Sequence, residues 1–304
     1  MNLLTIIIIV AGLCLFEVIN SVDNAIINAQ VLSTMSKRTR RWFLIWGMLF
    51  AVFVVRGLLP WVIVWISAPS LGPIGALTAT FSNNVNILHS IERSSPILLM
   101  GGGVFLLFLF LHWIFLEKKF GKKREASFFE EKIWFFGAAL VILAVITWFS
   151  FQIRPIIAFG AIMGSVVFFI TNAFKQNAEK NRGNLMKKNL SDINKIIYLE
   201  ILDATFSMDG VLGAFAFTLS VPLIILGNGL GAFVVRQFTV KNINTIKKYV
   251  YLKRGAMLSI LFLGMIMIFD GFGFNVPVWL PPIVTFLVVG YFFYKSREYI
   301  KKNK

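Results

Sequence analysis

Residues 16–29 read "FEVINSVDNAIINA" and continue directly from the apolar run "LLTIIIIVAGLCL" at 3–15. The run belongs to a membrane helix or a core. Yet Glu17 and Asp23 fall inside the continuation, with Asn20, Ser21, Asn24 and Asn28 around them. Ionised carboxylates at a bilayer centre cost roughly 2.5–3.5 kcal/mol each on insertion scales, so acids kept there imply a compensating partner or a function.

The rest of the chain decides between a membrane helix and a core. Of its 304 residues 58% are apolar and 14% charged, and mean hydropathy is +0.78. A soluble domain of this length needs more polar surface, so the chain reads as an all-α, polytopic membrane protein. About 20 apolar residues cross a bilayer as a helix. Nine stretches qualify: 3–34, 42–66, 96–116, 133–151, 155–174, 195–219, 221–240, 255–274 and 277–295. Residues 67–95 are too polar to span and read as an outer loop or a partly inserted helix. No basic segment precedes the first apolar run, so a cleaved signal peptide is not expected.

The net charge of +16 does not point to nucleic acid. Twenty-seven of the 30 Lys and Arg fall in five runs between apolar stretches: 37–41, 118–132, 175–195, 236–254 and 295–304. With nine crossings all five runs share one side. The positive-inside rule then puts the C-terminus in the cytoplasm and the N-terminus outside. One cysteine excludes a disulfide framework, and two histidines are too few for an imidazole metal site. Neither His89 nor His112 lies in a polar helix and no nucleotide-binding motif is present, so neither an enzyme nor an ATP-driven pump is expected.

A second stretch resembles the first. Glu17, Ser21 and Asp23 are spaced 0, +4, +6 and followed by Asn24; Asp203, Ser207 and Asp209 have the same spacing and are followed by Gly210. The segments after them also match: "GMLFAVFVVRGL" places Gly47 nine residues before Arg56, and "GNGLGAFVVRQF" places Gly227 nine before Arg236. This is an internal repeat. Five crossings separate the copies, so they enter the membrane from opposite sides, as in secondary transporters with a site between their halves. One membrane domain, 1–304, divides accordingly. Repeat one is 1–116, helices one to three with the outer loop 67–95. A helical hairpin with basic loops connects at 117–194. Repeat two is 195–275, helices six to eight, and 276–304 is a last helix and basic tail.

On a regular helix Glu17, Asn20, Ser21 and Asn24 share one face, as do Glu200, Asp203 and Ser207. Asp23 and Asp209 point away unless the chain unwinds near Ser21 and Gly210. Arg56 and Arg236 supply two partners for five acids. The surplus of hard oxygen donors suits Mg²⁺, Ca²⁺ or Mn²⁺. Asp270 reads as a helix terminus and His112 as an interfacial residue.

These motifs resemble the paired signatures of the TerC superfamily of bacterial membrane proteins. "FEVINSVDNAIINA" is similar to the first and "EILDATFSMDGVLGAFAFT" (200–218) to the second, and "GNGLGAFVVR" is similar to the segment that comes after the second signature. The form with Asp-Gly resembles an uncharacterised branch, distinct from the tellurium-resistance protein. The resemblance implies a lysine-exporter-like transporter with links to manganese efflux, calcium and tellurite. Its acidic site residues would be Glu17, Asp23, Asp203 and Asp209, with Asn24 and Ser207 beside them. Asn20, Ser21, Glu200, Arg56 and Arg236 would support that metal site. Gly210 stands where many relatives carry Ser, one ligand fewer. The expectation is a cytoplasmic-membrane divalent-cation transporter exporting Mn²⁺, with Ca²⁺ the second candidate ion. Two rivals stand beside it: a non-transporting membrane partner in metal loading or envelope stress, acting through a protein partner, and an exporter of a cationic organic solute.

Overall fold

The computed structural model describes residues 2–47, 50–78, 85–117, 128–185, 191–241 and 248–302; within them the side chains of Asp23, Arg236 and residues 51–53, 85–92, 128–131, 178–179, 181–185 and 238–241 lie outside the description. Every regular element among these residues is helical. The chain runs α1 (Leu3–Asn20), α2 (Val22–Leu32), α3 (Lys37–Trp42), π-helical stretches at Phe43–Gly47 and Phe50–Leu58, α4 (Leu59–Ser67), a 3₁₀ turn (Pro69–Leu71), α5 (Gly72–Thr78), α6 (Val85–Leu116) and α7 (Phe128–Ile153). It continues through α8 (Pro155–Leu185), α9 (Asp192–Ala214), α10 (Val221–Lys241), α11 (Leu252–Gly271) and α12 (Leu280–Lys302).

Five of these are long and apolar enough to cross a membrane: Leu3–Asn20, Arg93–Leu116, Lys132–Ile153, Pro155–Asn177 and Leu252–Gly271. Val54–Ser67 and Pro69–Thr78 qualify together but are bent by 104°, a broken span or a re-entrant loop. The stretch 67–95 is therefore less of a loop than its polarity suggests. Its first part folds back as α5, and α6 begins at Val85, eleven residues before the apolar segment, and carries Pro96 within it. The outward faces are apolar where lipid would meet them: Trp134, Leu140, Val141 and Trp148 of α7 are all exposed. An unbroken exposed apolar face of this kind marks a membrane surface.

Glycines set how closely the helices pack. The backbones of α6 and α8 touch at Gly101, Gly160 and Gly164. Those of α6 and α11 meet at Gly103 and Gly264. Helix α1 lies along α10, with Leu13 in the notch of Gly227 and the methylenes of Glu17 over Gly231. Small residues permit such approach where no hydrophobic drive exists between helices in lipid. A Cβ at Gly160 would lie 2.6 Å from the Ile97 carbonyl oxygen. Gly160→Ala must therefore part α6 from α8, and overpacking of this kind costs about 1–3 kcal/mol. The expected result is a lower unfolding midpoint in detergent with the helical content retained; an unchanged midpoint would contradict this contact. Beneath this seam Phe105, Phe108, Phe135 and Phe168 form an aromatic core. His112 packs edge-on to Phe135 at 5.6 Å, so it belongs to that core more than to an interface.

Candidate functional site

Of the two breaks expected in the polar helices, one is present. α1 stops at Asn20, Ser21 takes φ −88° and ψ 0°, and α2 starts at Val22. The Ser21 hydroxyl donates back one turn to Glu17 Oε1. α9, by contrast, runs unbroken through Gly210 to Ala214. The reason is space. A Cβ on Gly210 would sit 2.5 Å from Glu17 Oε2 and 3.7 Å from Asn20 Nδ2. Gly210 admits a carboxylate from α1 and stays helical. Unwinding of α9 at that point, and the freed carbonyls it would supply, are absent.

Across this junction lies Arg56, on the second π-helical stretch. Widened π turns recur at functional positions. Arg56 is 3% exposed and Glu17 1%. The guanidinium donates from Nε (3.0 Å) and Nη2 (2.8 Å) to Glu17 Oε1, and from Nη1 to Asp203 Oδ2 (3.2 Å). Asn24 Nδ2 donates to Asp203 Oδ1. The Ser207 hydroxyl donates to the Asp203 backbone carbonyl at 2.6 Å. Glu17 Oε2, beside Gly210, and Asn24 Oδ1 are buried with no hydrogen-bond partner among the described residues. Thus residues from α1, α2, the Arg56 segment and α9 converge on one buried guanidinium.

Other residues expected at the site are placed elsewhere. Asp209 Oδ2 pairs with Lys175 Nζ of α8, whose ammonium also lies 5.0 Å from the Phe206 ring. By sequence Lys175 falls in a cytoplasmic basic run. α8 carries it inward because the helix continues without a break past the apolar stretch, to Leu185. The shortage of basic partners inferred from Arg56 and Arg236 is correspondingly smaller. Lys195 is a second buried cation from the same run, donating to the Thr34 hydroxyl at 3.1 Å where α2 ends. Glu200 faces a different surface: it lines an apolar groove with Trp42, Trp46 and Phe50, against Gly47. Asp270 accepts from the Val276 backbone N–H at 3.1 Å and orders the turn after α11, the terminus role expected of it. The side chains of Asp23 and Arg236 lie outside the described residues. Among the described residues no group of three or more His, Cys, Asp and Glu is arranged to hold a metal ion. The two acids at the centre are bridged by an arginine.

The Lys175–Asp209 pair gives a direct test of this electrostatic layout. Removing one member of a buried pair costs about 3–5 kcal/mol, because the other is left charged and unpaired. Lys175→Met and Asp209→Asn are each expected to lower the melting midpoint in detergent. The double variant should melt above either single, since no lone charge remains. Additive losses in the double variant would contradict the pairing.

Residues 22–303 match the model of a family described as "Protein of unknown function (DUF475)". No curated protein matches the chain, and no solved structure does. The match begins after α1, and so leaves out Glu17 and Ser21, and covers α2, the Arg56 segment, α9 and the other helices after it; the chain belongs to the DUF475 family.

Proposed function

We propose that the chain is a TerC-like transporter that moves a divalent metal ion, Mn²⁺ first among the candidates, out across the bacterial cytoplasmic membrane. The observation that carries the reading is the meeting of Glu17 and Asp203 on Arg56. They are the leading acids of the two motif copies, far apart in sequence and brought to one buried point. Two carboxylates and one guanidinium sum to one negative charge. If Arg56 withdraws as a divalent ion enters, the site becomes neutral, and if Arg56 returns, the vacated acids are again mostly compensated. Glu17, Asp203, Asn24 and Ser207 supply hard oxygens for such an ion, with Asp23 on the adjoining turn of α2. Arg56 thus stands in for the cargo between loads.

The nine-crossing topology, with the N-terminus outside, the C-terminus cytoplasmic and the two halves inverted, is part of the same reading. The helix pairings favour it. α1 packs on α10 while α9 packs on the Arg56 segment; α1 touches α11 while α9 touches α6; and α6 packs along α11. Exchanging the halves swaps the first two pairings with each other and the next two with each other, and maps the α6–α11 pairing onto itself. The basic runs favour the orientation.

One feature favours a second reading. The central acids hold a guanidinium, so an organic cation ending in a guanidinium or an ammonium fits the same chemistry. Total cell metal measured by mass spectrometry separates the readings. In a manganese-loaded host lacking its own exporter, expression of the wild type should lower manganese, and Asp203→Asn expressed to the same level should not. Unchanged metal content with either protein would turn the assignment toward organic cations or a non-transporting partner.

A further inference from the structure

Two cavities lie near opposite ends of α11, to either side of the Glu17–Arg56–Asp203 cluster. One, of about 210 Å³, lies between the α1–α2 junction and the start of α11, and is lined by Asn20, Ile26, Lys253 and Met257 among others. Its wall at Asn20 borders the cluster, since Asn20 Nδ2 lies 3.7 Å and Glu17 Oε2 2.5 Å from where a Cβ on Gly210 would stand. The other, of about 350 Å³, lies at the opposite end of α11, with Thr218, Ser220 and Asp270 on its walls and Phe217 among its lining.

Between the second cavity and Glu17 stand two rings. Phe16 precedes Glu17 on α1, and Phe217 lies just beyond the end of α9; their centroids are 5.7 Å apart and both are buried. They interlock with two glycine notches. A Cβ on Gly213 of α9 would fall 2.6 Å from Phe16 Cε1, and a Cβ on Gly12 of α1 would fall 2.9 Å from Phe217 Cε1. Each helix offers a ring to the other's gap. Rings seated in this way close a path by shape, without hydrogen bonds that would have to break on opening. At the other end Asn20 offers no such plug.

We infer that the Phe16–Phe217 pair is the closed gate of a cation path that enters at the Asn20–Lys253 cavity and leaves through the Asp270 cavity. The inference rests on the transport reading. It makes the present conformation open from the Lys253 end as far as Asn20, with Glu17 still buried, and shut toward the Asp270 end. Opening requires α1 and the end of α9 to part by the depth of the two rings. Asp270, whose Oδ1 is held by the Val276 amide, then gives the released cation a carboxylate on the exit wall.

The test uses thiol accessibility, since Cys14 is the single native cysteine and can be replaced by serine. In that background Met257→Cys and Thr218→Cys mark the two cavities. A membrane-impermeant methanethiosulfonate reagent is applied to each face of sealed vesicles. Asn20→Cys is expected to react from the face that reaches Met257→Cys and not from the face that reaches Thr218→Cys. Adding Phe217→Ala should open Asn20→Cys to the Thr218 face as well. Labelling of Asn20→Cys from the Thr218 face while Phe217 is intact would overturn the gate, and this comparison does not depend on the alanine variant folding. So would failure of a folded Phe217→Ala variant to open the second face. Mn²⁺ flux is measured in the same vesicles with the C14S protein. One-sided labelling without flux would sink the transport reading while leaving the closure in place; flux with the wrong labelling pattern would sink only the gate.

Discussion

Arg56→Gln is expected to leave little folded protein in a buffer free of divalent ions. It removes the cation that two buried carboxylates share, and breaking a buried pair typically costs about 3–5 kcal/mol. Against a total stability of about 5–15 kcal/mol, that is a large part of the whole. The Coulomb repulsion between Glu17 and Asp203, now without Arg56, adds to the loss. Two additions should restore the variant. A divalent ion fits the anionic site that remains and stabilises the folded state by mass action, gaining about 2.7 kcal/mol at one hundred times its dissociation constant. Neutralising the acids as well, in Arg56→Gln with Glu17→Gln and Asp203→Asn, removes the uncompensated charge. Thermal unfolding in detergent, with and without Mn²⁺, reads each step. An Arg56→Gln protein as stable as the wild type, or one indifferent to divalent ions, would contradict this role of the cluster.

The second large effect concerns function and not stability. Glu17→Gln and Asp203→Asn each keep the shape of the side chain and most of its hydrogen bonds, and each leaves Arg56 one carboxylate. Both proteins should therefore insert and fold. Both should lose Mn²⁺ movement, because the site that remains carries too little negative charge to draw a divalent ion past a permanent guanidinium. Ser207→Ala makes the contrast. Its hydroxyl is used on the Asp203 carbonyl, one turn back on its own helix. Its loss should lower flux far less than loss of either acid. Equal flux by wild type, Glu17→Gln and Asp203→Asn would remove these acids from the path.

Much of this arrangement is legible in the sequence because polarity inside an apolar helix is rare and expensive. Glu17, Ser21, Asn24, Asp203 and Ser207 stand out for that reason, and Arg56 stands out as the basic residue inside an apolar stretch. Of the matched motif positions, Glu17 and Asp203 meet on Arg56, whereas Asp209 pairs with Lys175. What the sequence conceals is depth and direction. Lys175 and Lys195 look like members of a solvated run, and only the continuation of α8 and the packing of α9 on the end of α2 turn them inward. Gly210 reads as a helix breaker, yet it serves as a gap for a neighbour's carboxylate, a role that depends on a residue nearly two hundred positions away. The bend of 104° after Ser67 is marked by Pro69 and Gly72, but its angle is set by packing. Phe16, Phe217 and the glycines opposite them are ordinary apolar residues until the helices are placed side by side.

Carriage of a divalent cation across a membrane by the paired acids is tested most directly with the purified wild-type chain in liposomes. The liposomes hold a manganese-sensitive dye, and Mn²⁺ is added outside. The expected result is a rise in the internal signal with wild type, no rise with Asp203→Asn reconstituted to the same density, and competition by other divalent ions more than by guanidinium. Manganese that binds the detergent-solubilised protein but never enters the liposomes would contradict transport, and would leave a protein that holds metal without moving it.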